Sequence, residues 1–309
     1  MTTVTRSTAV SDRIPPPLMF MASGLTQYSG AALAVGLFAV IPAQSVAWWR
    51  IAFSAIVLLL WRRPWRQTWT RQGLLAAALF GVVLTTMNIA FYIAIDHLPL
   101  GTSVAIEFIG PVAVAAISGR GWRERVSIVL AAAGVVALAG VSLQGGWTAN
   151  AVIGLVAILA TAAAWAGYIL LGRRVARGGD GISSLAVGMT VGAVLYCPLA
   201  IGATRVIVHS PRHLLALVGI AVFSSVIPYA IEQVIMRRVS AARFAILLAL
   251  LPVAATVVGA VILAQIPGPL DLAGIGAICG AVVLSAQRPG RPEPGRPKAG
   301  TQDEPAPLP

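Results

Sequence analysis

Glu107 is the one carboxylate in LPLGTSVAIEFIGP (98–111), a segment otherwise fit for hydrocarbon. A charge retained at such depth marks an ion or substrate path more often than it serves packing. Chemically it offers a site that takes up and releases a proton, and a counter-charge for an amine. The plainer alternative is a protonated carboxyl bonded to a neighbouring helix. Pro111 follows four residues later, and because proline has no N–H, the carbonyl of Glu107 loses its usual helical donor. Side chain and backbone then present polar groups at one level.

Arg50, in AWWRIAF, is the basic group best placed to meet a substrate. Its planar fork suits a carboxylate; snorkelling to headgroups, or a fixed pair with Glu107, would serve structure alone. Gln27, beside Tyr28, stands about midway along the first apolar run, and Asn88 and Tyr92, four apart, share one helix face. Tyr229 follows Pro228, which frees a carbonyl that Ser224 and Ser225 are placed to relieve. These residues could line an aqueous pocket, or each could make an ordinary interhelical bond worth about 0.6 kcal/mol. Trp165 and Tyr168 read as an aromatic belt, and the glycine pairs Gly188/Gly192 and Gly276/Gly280 as helix-packing surfaces.

The elements that must hold these groups follow from composition. With 58% hydrophobic and 10% charged residues in 309 and a mean hydropathy of +0.87, the chain has more apolar surface than a soluble domain can hide. Apolar runs fall at 17–38, 43–61, 72–95, 98–118, 126–144, 149–171, 183–204, 213–235, 240–264 and 269–287. The expected fold is an all-α polytopic membrane protein of ten transmembrane helices. Glu107 then lies roughly 14 Å into its span at ~1.5 Å per residue, near the middle of a ~30 Å core. Residues 1–16 read as a cytoplasmic N-terminal tail, and 288–309, rich in Pro and Gly, as a disordered cytoplasmic one.

The net charge of +12 does not signal nucleic acid, because the arginines fall between apolar runs. All but three of the 22 basic residues (Arg50, Arg205 and Arg212) belong to the tails or to one alternate set of loops and helix starts. By the positive-inside rule both termini are cytoplasmic. Setting Pro111 against Pro252 aligns the fourth span with the ninth and places Leu248 opposite Glu107. Five helices is an odd number, so a first repeat at 17–144 and a second at 149–287 must be inverted, the build of many secondary transporters.

Three stretches, AFYIAIDHLPLGTSVAIEFIGP (90–111), AWAGYILLGRR (164–174) and SSVIPYAIEQ (224–233), resemble the EamA-type branch of the drug/metabolite transporter superfamily, most of all its threonine/homoserine exporter group. The resemblance covers about residues 17–287. It implies two inverted five-helix repeats in the inner membrane, exporting small amphipathic metabolites against protons. One departure bears on the substrate: that group carries Glu-Pro in the ninth span and Gly-Glu at its end, where this chain has Leu251-Pro252 and Ala264-Gln265.

Together these readings give a secondary active transporter exporting small amphipathic metabolites, amino acids of the threonine/homoserine type, by proton antiport with alternating access. The competing readings are an uncoupled facilitator or channel for small polar solutes, and a drug or amine efflux carrier. An enzyme is not expected, since H-E-x-x-H and G-x-S-x-G are absent, nor is direct ATP drive, since there is no G-x-x-x-x-G-K loop. Neither cofactor nor metal is expected. The partners are a small-molecule substrate, protons and the lipid bilayer, without nucleic acid; a homodimer stays open.

Overall fold

The computed structural model describes residues 14–118, 122–144, 146–176, 181–228, 231, 235 and 247–286. Both tails beyond residues 14 and 286 therefore lie outside the description, as do Tyr229, Arg237, Arg238 and Arg243. Among the described residues regular structure is helical throughout. In chain order come α1 (Pro16–Val35), α2 (Ala43–Arg62), a 3-10 turn (Pro64–Arg66), α3 (Arg71–His97), α4 (Leu100–Glu107) and α5 (Ile109–Ser118). Then follow α6 (Trp122–Ser142), α7 (Ala149–Ala176), α8 (Gly181–Leu195), α9 (Pro198–Val208) and α10 (Pro211–Ala221), which runs into a π turn at Val222–Val226. The last two are α11 (Leu250–Ile262) and α12 (Pro269–Ala286).

Among the described residues four stretches are long and apolar enough to cross a bilayer alone: Ala43–Arg66, Arg71–His97, Arg125–Ser142 and Ala149–Gly172. α8 and α9 qualify together but bend by 90° where they meet. The shorter apolar helices are Leu100–Val114, Pro211–Val226, Leu250–Ile262 and Pro269–Leu284. Four runs that read as continuous in sequence are thus interrupted, and each interruption lies just ahead of a proline. Pro111 follows the break at Phe108, Pro198 the bend at Tyr196–Cys197, Pro228 the π turn, and Pro252 a turn at Leu248–Ala249. The common cause is the missing proline N–H and the clash of its ring with the preceding turn. The π turn is a related outcome, since wider coils arise where the regular ladder fails.

α3 packs along α7 and α8, α6 along α12, α2 against α8, and α1 against α11 and the π turn. Small residues set these approaches, as expected where lipid supplies no hydrophobic drive between helices. A side chain at Gly81 would strike the backbone of Gly188, and one at Gly192 the side chain of Thr85, so α3 and α8 cross nearly backbone to backbone. The Gly188/Gly192 pair is therefore a packing surface as expected. The Gly276/Gly280 pair is not: neither has an atom within 4 Å of the position a Cβ would take, and α12 instead meets α6 through Gly274 against Gly134.

Two apolar clusters result. The larger joins α1, α3, α4, α11 and α12 around Phe20, Tyr28, Tyr92, Leu100 and Phe108. The smaller lies between α2, α3 and α8 around Ile51, Phe80, Leu84 and Met189. Trp165 and Tyr168 belong to this interior packing: the Trp165 and Phe108 rings meet nearly at right angles, 4.7 Å between centroids, and Tyr168 stacks on Phe80 at 4.7 Å.

Candidate functional site

Glu107 is the last residue of α4 and is buried. The chain turns through Phe108, whose N–H reaches back only three residues to the carbonyl of Ala105 at 3.2 Å, and the next helix starts at Ile109. The carboxylate therefore stands at a helix break, as the spacing to Pro111 anticipates. Glu107 and Arg50 are the two charged residues among the buried side chains described.

Arg50, on α2, does not snorkel. At 8% exposure it crosses to the C-terminal half of the chain: Nη2 donates to the Ser224 carbonyl at 3.0 Å and Nε to Ser225 Oγ at 3.2 Å. Its guanidinium carbon lies 5.4 Å from the centre of the Tyr92 ring, a cation–π distance. The Ser224 carbonyl is the one that Pro228 deprives of a helical donor. Sequence assigns its relief to the serines themselves, but the serine side chains are engaged elsewhere. Ser224 Oγ donates to the Gln27 carbonyl at 3.0 Å, and Ser225 Oγ accepts from Arg50. Gly30 allows this contact, since a Cβ there would strike Ser224.

The remaining candidates divide. Tyr92 is fully buried beneath Arg50, and its hydroxyl finds no partner among the described residues. Gln27 is half-buried and joins the site through its backbone. Asn88, one turn from Tyr92, is spent locally: its Nδ2 donates to the Leu84 carbonyl of its own helix at 2.8 Å. Tyr229 lies outside the described residues.

Other polar residues also belong to this region. Ser103 precedes Glu107 by one helical turn and Ser54 follows Arg50 by one turn; both hydroxyls are buried without a described partner. Their signal in the sequence is the four-residue spacing from each charge, which puts them on the same helix faces. α2 also carries Ser45, which donates to the Leu199 carbonyl at 2.6 Å, and Trp48, which donates to the Ala193 carbonyl at 2.7 Å. These carbonyls flank the α8–α9 bend, so α2 satisfies backbone groups at two interruptions of the C-terminal half. Pro198, which sets that bend, is a helix break the sequence reading does not single out.

At the start of α4, a cavity of about 150 Å³ is lined by Thr102, Thr256, Gln265 and Asp271 among others. Gln265 Oε1 accepts the N–H of Leu100 at 2.9 Å and ties the end of α11 to the start of α4. Ala264 beside it has φ +55°, a left-handed conformation that glycine adopts more readily.

The EamA-like transporter family model matches the chain twice, at residues 17–145 and 152–287. The threonine/homoserine exporter RhtA of Escherichia coli strain K12 is 33% identical over 271 residues, which cover 87% of this chain and 90% of that protein. The protein of the same name from Salmonella typhimurium strain SL1344 is 32% identical over 267 residues, 86% of this chain and 89% of its own. A solved crystal structure, 19% identical, aligns over 87% of this chain and 96% of its own with a TM-score of 0.53, a likeness of fold alone.

Proposed function

The chain belongs to the EamA-like transporter family and is a multi-pass membrane transporter, not an enzyme; from that premise we propose that it exports amino acids of the threonine/homoserine type by proton antiport. Ten spans form two inverted repeats, 17–144 and 149–287, with both termini cytoplasmic. The distribution of basic residues supports this orientation. The matched interruptions at Phe108 and at Leu248–Ala249, 141 residues apart, support the repeat.

One observation carries the mechanism. Among the described residues two charges are buried, Glu107 at a helix end and Arg50 tied across to the other half. A zwitterionic amino acid sets its ammonium near Glu107 and its carboxylate near Arg50. As the halves rock about the midplane, the site opens first to the cytoplasm and then to the outside. A proton entering from outside neutralises Glu107, releases the ammonium and permits the return step.

The departures at Leu251 and Gln265 leave this scheme intact. Leu251 lies on α11, buried against Gly24 of α1. Gln265 holds the start of α4 through an oxygen that a glutamate would also offer.

The test is proton movement in proteoliposomes, read by an interior pH dye as amino acids and small amines are added to wild type and Glu107→Gln in parallel. A substrate-dependent pH change in wild type that is absent in Glu107→Gln is the expected result. Labelled substrate crossing wild type with no pH change makes the protein an uncoupled facilitator and Glu107 a binding or structural residue.

A further inference from the structure

The edge of a guanidinium that carries Nε–H and one Nη–H presents two parallel donors, spaced to hold the two oxygens of a carboxylate. In Arg50 that edge is already filled. Its two acceptors come from adjacent residues, the Ser224 carbonyl at 3.0 Å from Nη2 and Ser225 Oγ at 3.2 Å from Nε. Both are neutral oxygens, presented side by side by the π turn. The Tyr92 ring, 5.4 Å from the guanidinium carbon, provides a face for the planar group.

We propose that the Ser224 carbonyl and Ser225 hydroxyl are placeholder ligands that occupy the carboxylate fork of Arg50 in the empty carrier, and that a substrate carboxylate takes their place. This rests on the reading of Arg50 as part of the substrate site and adds what the site contains when no substrate is there.

Two physical reasons favour exchange over a permanent tie. A carboxylate adds ion-pair attraction and a planar, bidentate fit to the fork that two neutral oxygens do not offer, so a bound substrate can compete. An empty site, by contrast, would leave a desolvated guanidinium without acceptors, which is expensive. The placeholders remove that penalty and keep the unloaded carrier stable.

Exchange has a mechanical consequence. Arg50 belongs to α2, and its acceptors to the π turn ahead of Pro228. Transfer of the fork to the substrate releases this bond between the two halves. Binding of a carboxylate and release of the inter-half tie are then one event, and a ligand without a free carboxylate fails to trigger it. The freed Ser224 carbonyl cannot recover a helical partner from Pro228, which has no N–H, so the tie re-forms once substrate leaves.

The experiment is counterflow of labelled threonine and homoserine in proteoliposomes without a pH gradient, where proton coupling through Glu107 is not required. The competitors are threonine, threonine methyl ester and threoninol. Wild type is expected to be inhibited at least about tenfold more weakly by the ester and the alcohol than by threonine, the margin of a lost bidentate charged contact. Ser225→Ala removes one placeholder while sparing Arg50. It is expected to lower the half-inhibitory threonine concentration several-fold and leave that of the ester unchanged. Arg50→Lys, a point charge without a fork, is expected to narrow the discrimination; if it fails to fold, Ser225→Ala decides alone.

Ester and acid competing equally in wild type overturns the proposal, as does a Ser225→Ala variant with an unchanged acid-to-ester ratio. Either outcome leaves the transport assignment standing. Absence of counterflow for both labelled amino acids overturns the threonine/homoserine reading and this proposal with it. Counterflow that discriminates by carboxylate, with no proton movement in the dye assay, upholds the fork and removes antiport alone.

Discussion

The two halves of the chain are interrupted differently. In the N-terminal half one span breaks, at Phe108, and the break carries Glu107. Among the described residues of the C-terminal half three interruptions occur: the α8–α9 bend, the π turn and the turn at Leu248–Ala249. None of these carries a charged side chain among the described residues. At the position that setting Pro111 against Pro252 would pair with Glu107 stands Leu248, and the neighbouring Ala249 carbonyl accepts a weak bond from Cys279 Sγ at 3.3 Å. One half supplies the charges and the other supplies broken backbone.

Several of the bonds that join them come from α2, whose Ser45, Trp48 and Arg50 donate to carbonyls at the α8–α9 bend and the π turn. Backbone opened inside a membrane must find partners within the protein. Here one helix of the N-terminal half provides several of them, which places that helix at the contact that must change if the halves move.

The largest effect is expected from moving the charge between halves. Glu107→Gln abolishes gradient-driven export, and adding Leu248→Glu does not restore it, because the second carboxylate stands at a break with no described basic partner. Dye-reported pumping in proteoliposomes checks this, and wild-type pumping by the double variant breaks the functional asymmetry.

Next in size is Gly30→Ala. Its Cβ strikes Ser224, so the π turn must shift, and overpacking of this kind typically costs about 1–3 kcal/mol. Thermal unfolding of the purified protein measures the loss, and Gly276→Ala, inside a helix with open space around it, serves as a control expected to be more stable than wild type by up to about 1 kcal/mol. Equal stability of the two variants would remove the close α1–π contact from the comparison.

The smallest effect has the opposite sign. Ala264 takes φ +55° at the end of α11, and Ala264→Gly is expected to stabilise by about 1 kcal/mol through relief of left-handed strain. A rise in unfolding temperature with unchanged counterflow confirms that this turn holds the fold and not the substrate. A matching loss of transport would instead tie it to the cavity beside Gln265.

Much of the site was legible in the chain itself. Glu107 stood out because a carboxylate in an apolar run is rare, and its break followed from Pro111. Arg50 was visible for the same reason, although its direction was not. Pro198 gives no such signal, because the run around it reads as continuously apolar and hydropathy does not register a missing N–H. Asn88 shared a face with Tyr92 as the spacing required, yet its amide turned to its own helix, which periodicity cannot foresee. Gly276 and Gly280 had the spacing of a packing motif and, among the described residues, no neighbour to pack against.

The amino-acid sequence by itself determined where the chain is apolar, where charge is kept within it and where the helical ladder must fail. Those are local properties, fixed by side-chain solvation and by whether residue i+4 has an N–H to give. Only the tertiary structure decided which group answers each failure. A freed carbonyl can accept from any donor brought to it, and whether that donor is a nearby serine or an arginine 174 residues away depends on which helices the glycine contacts allow to meet.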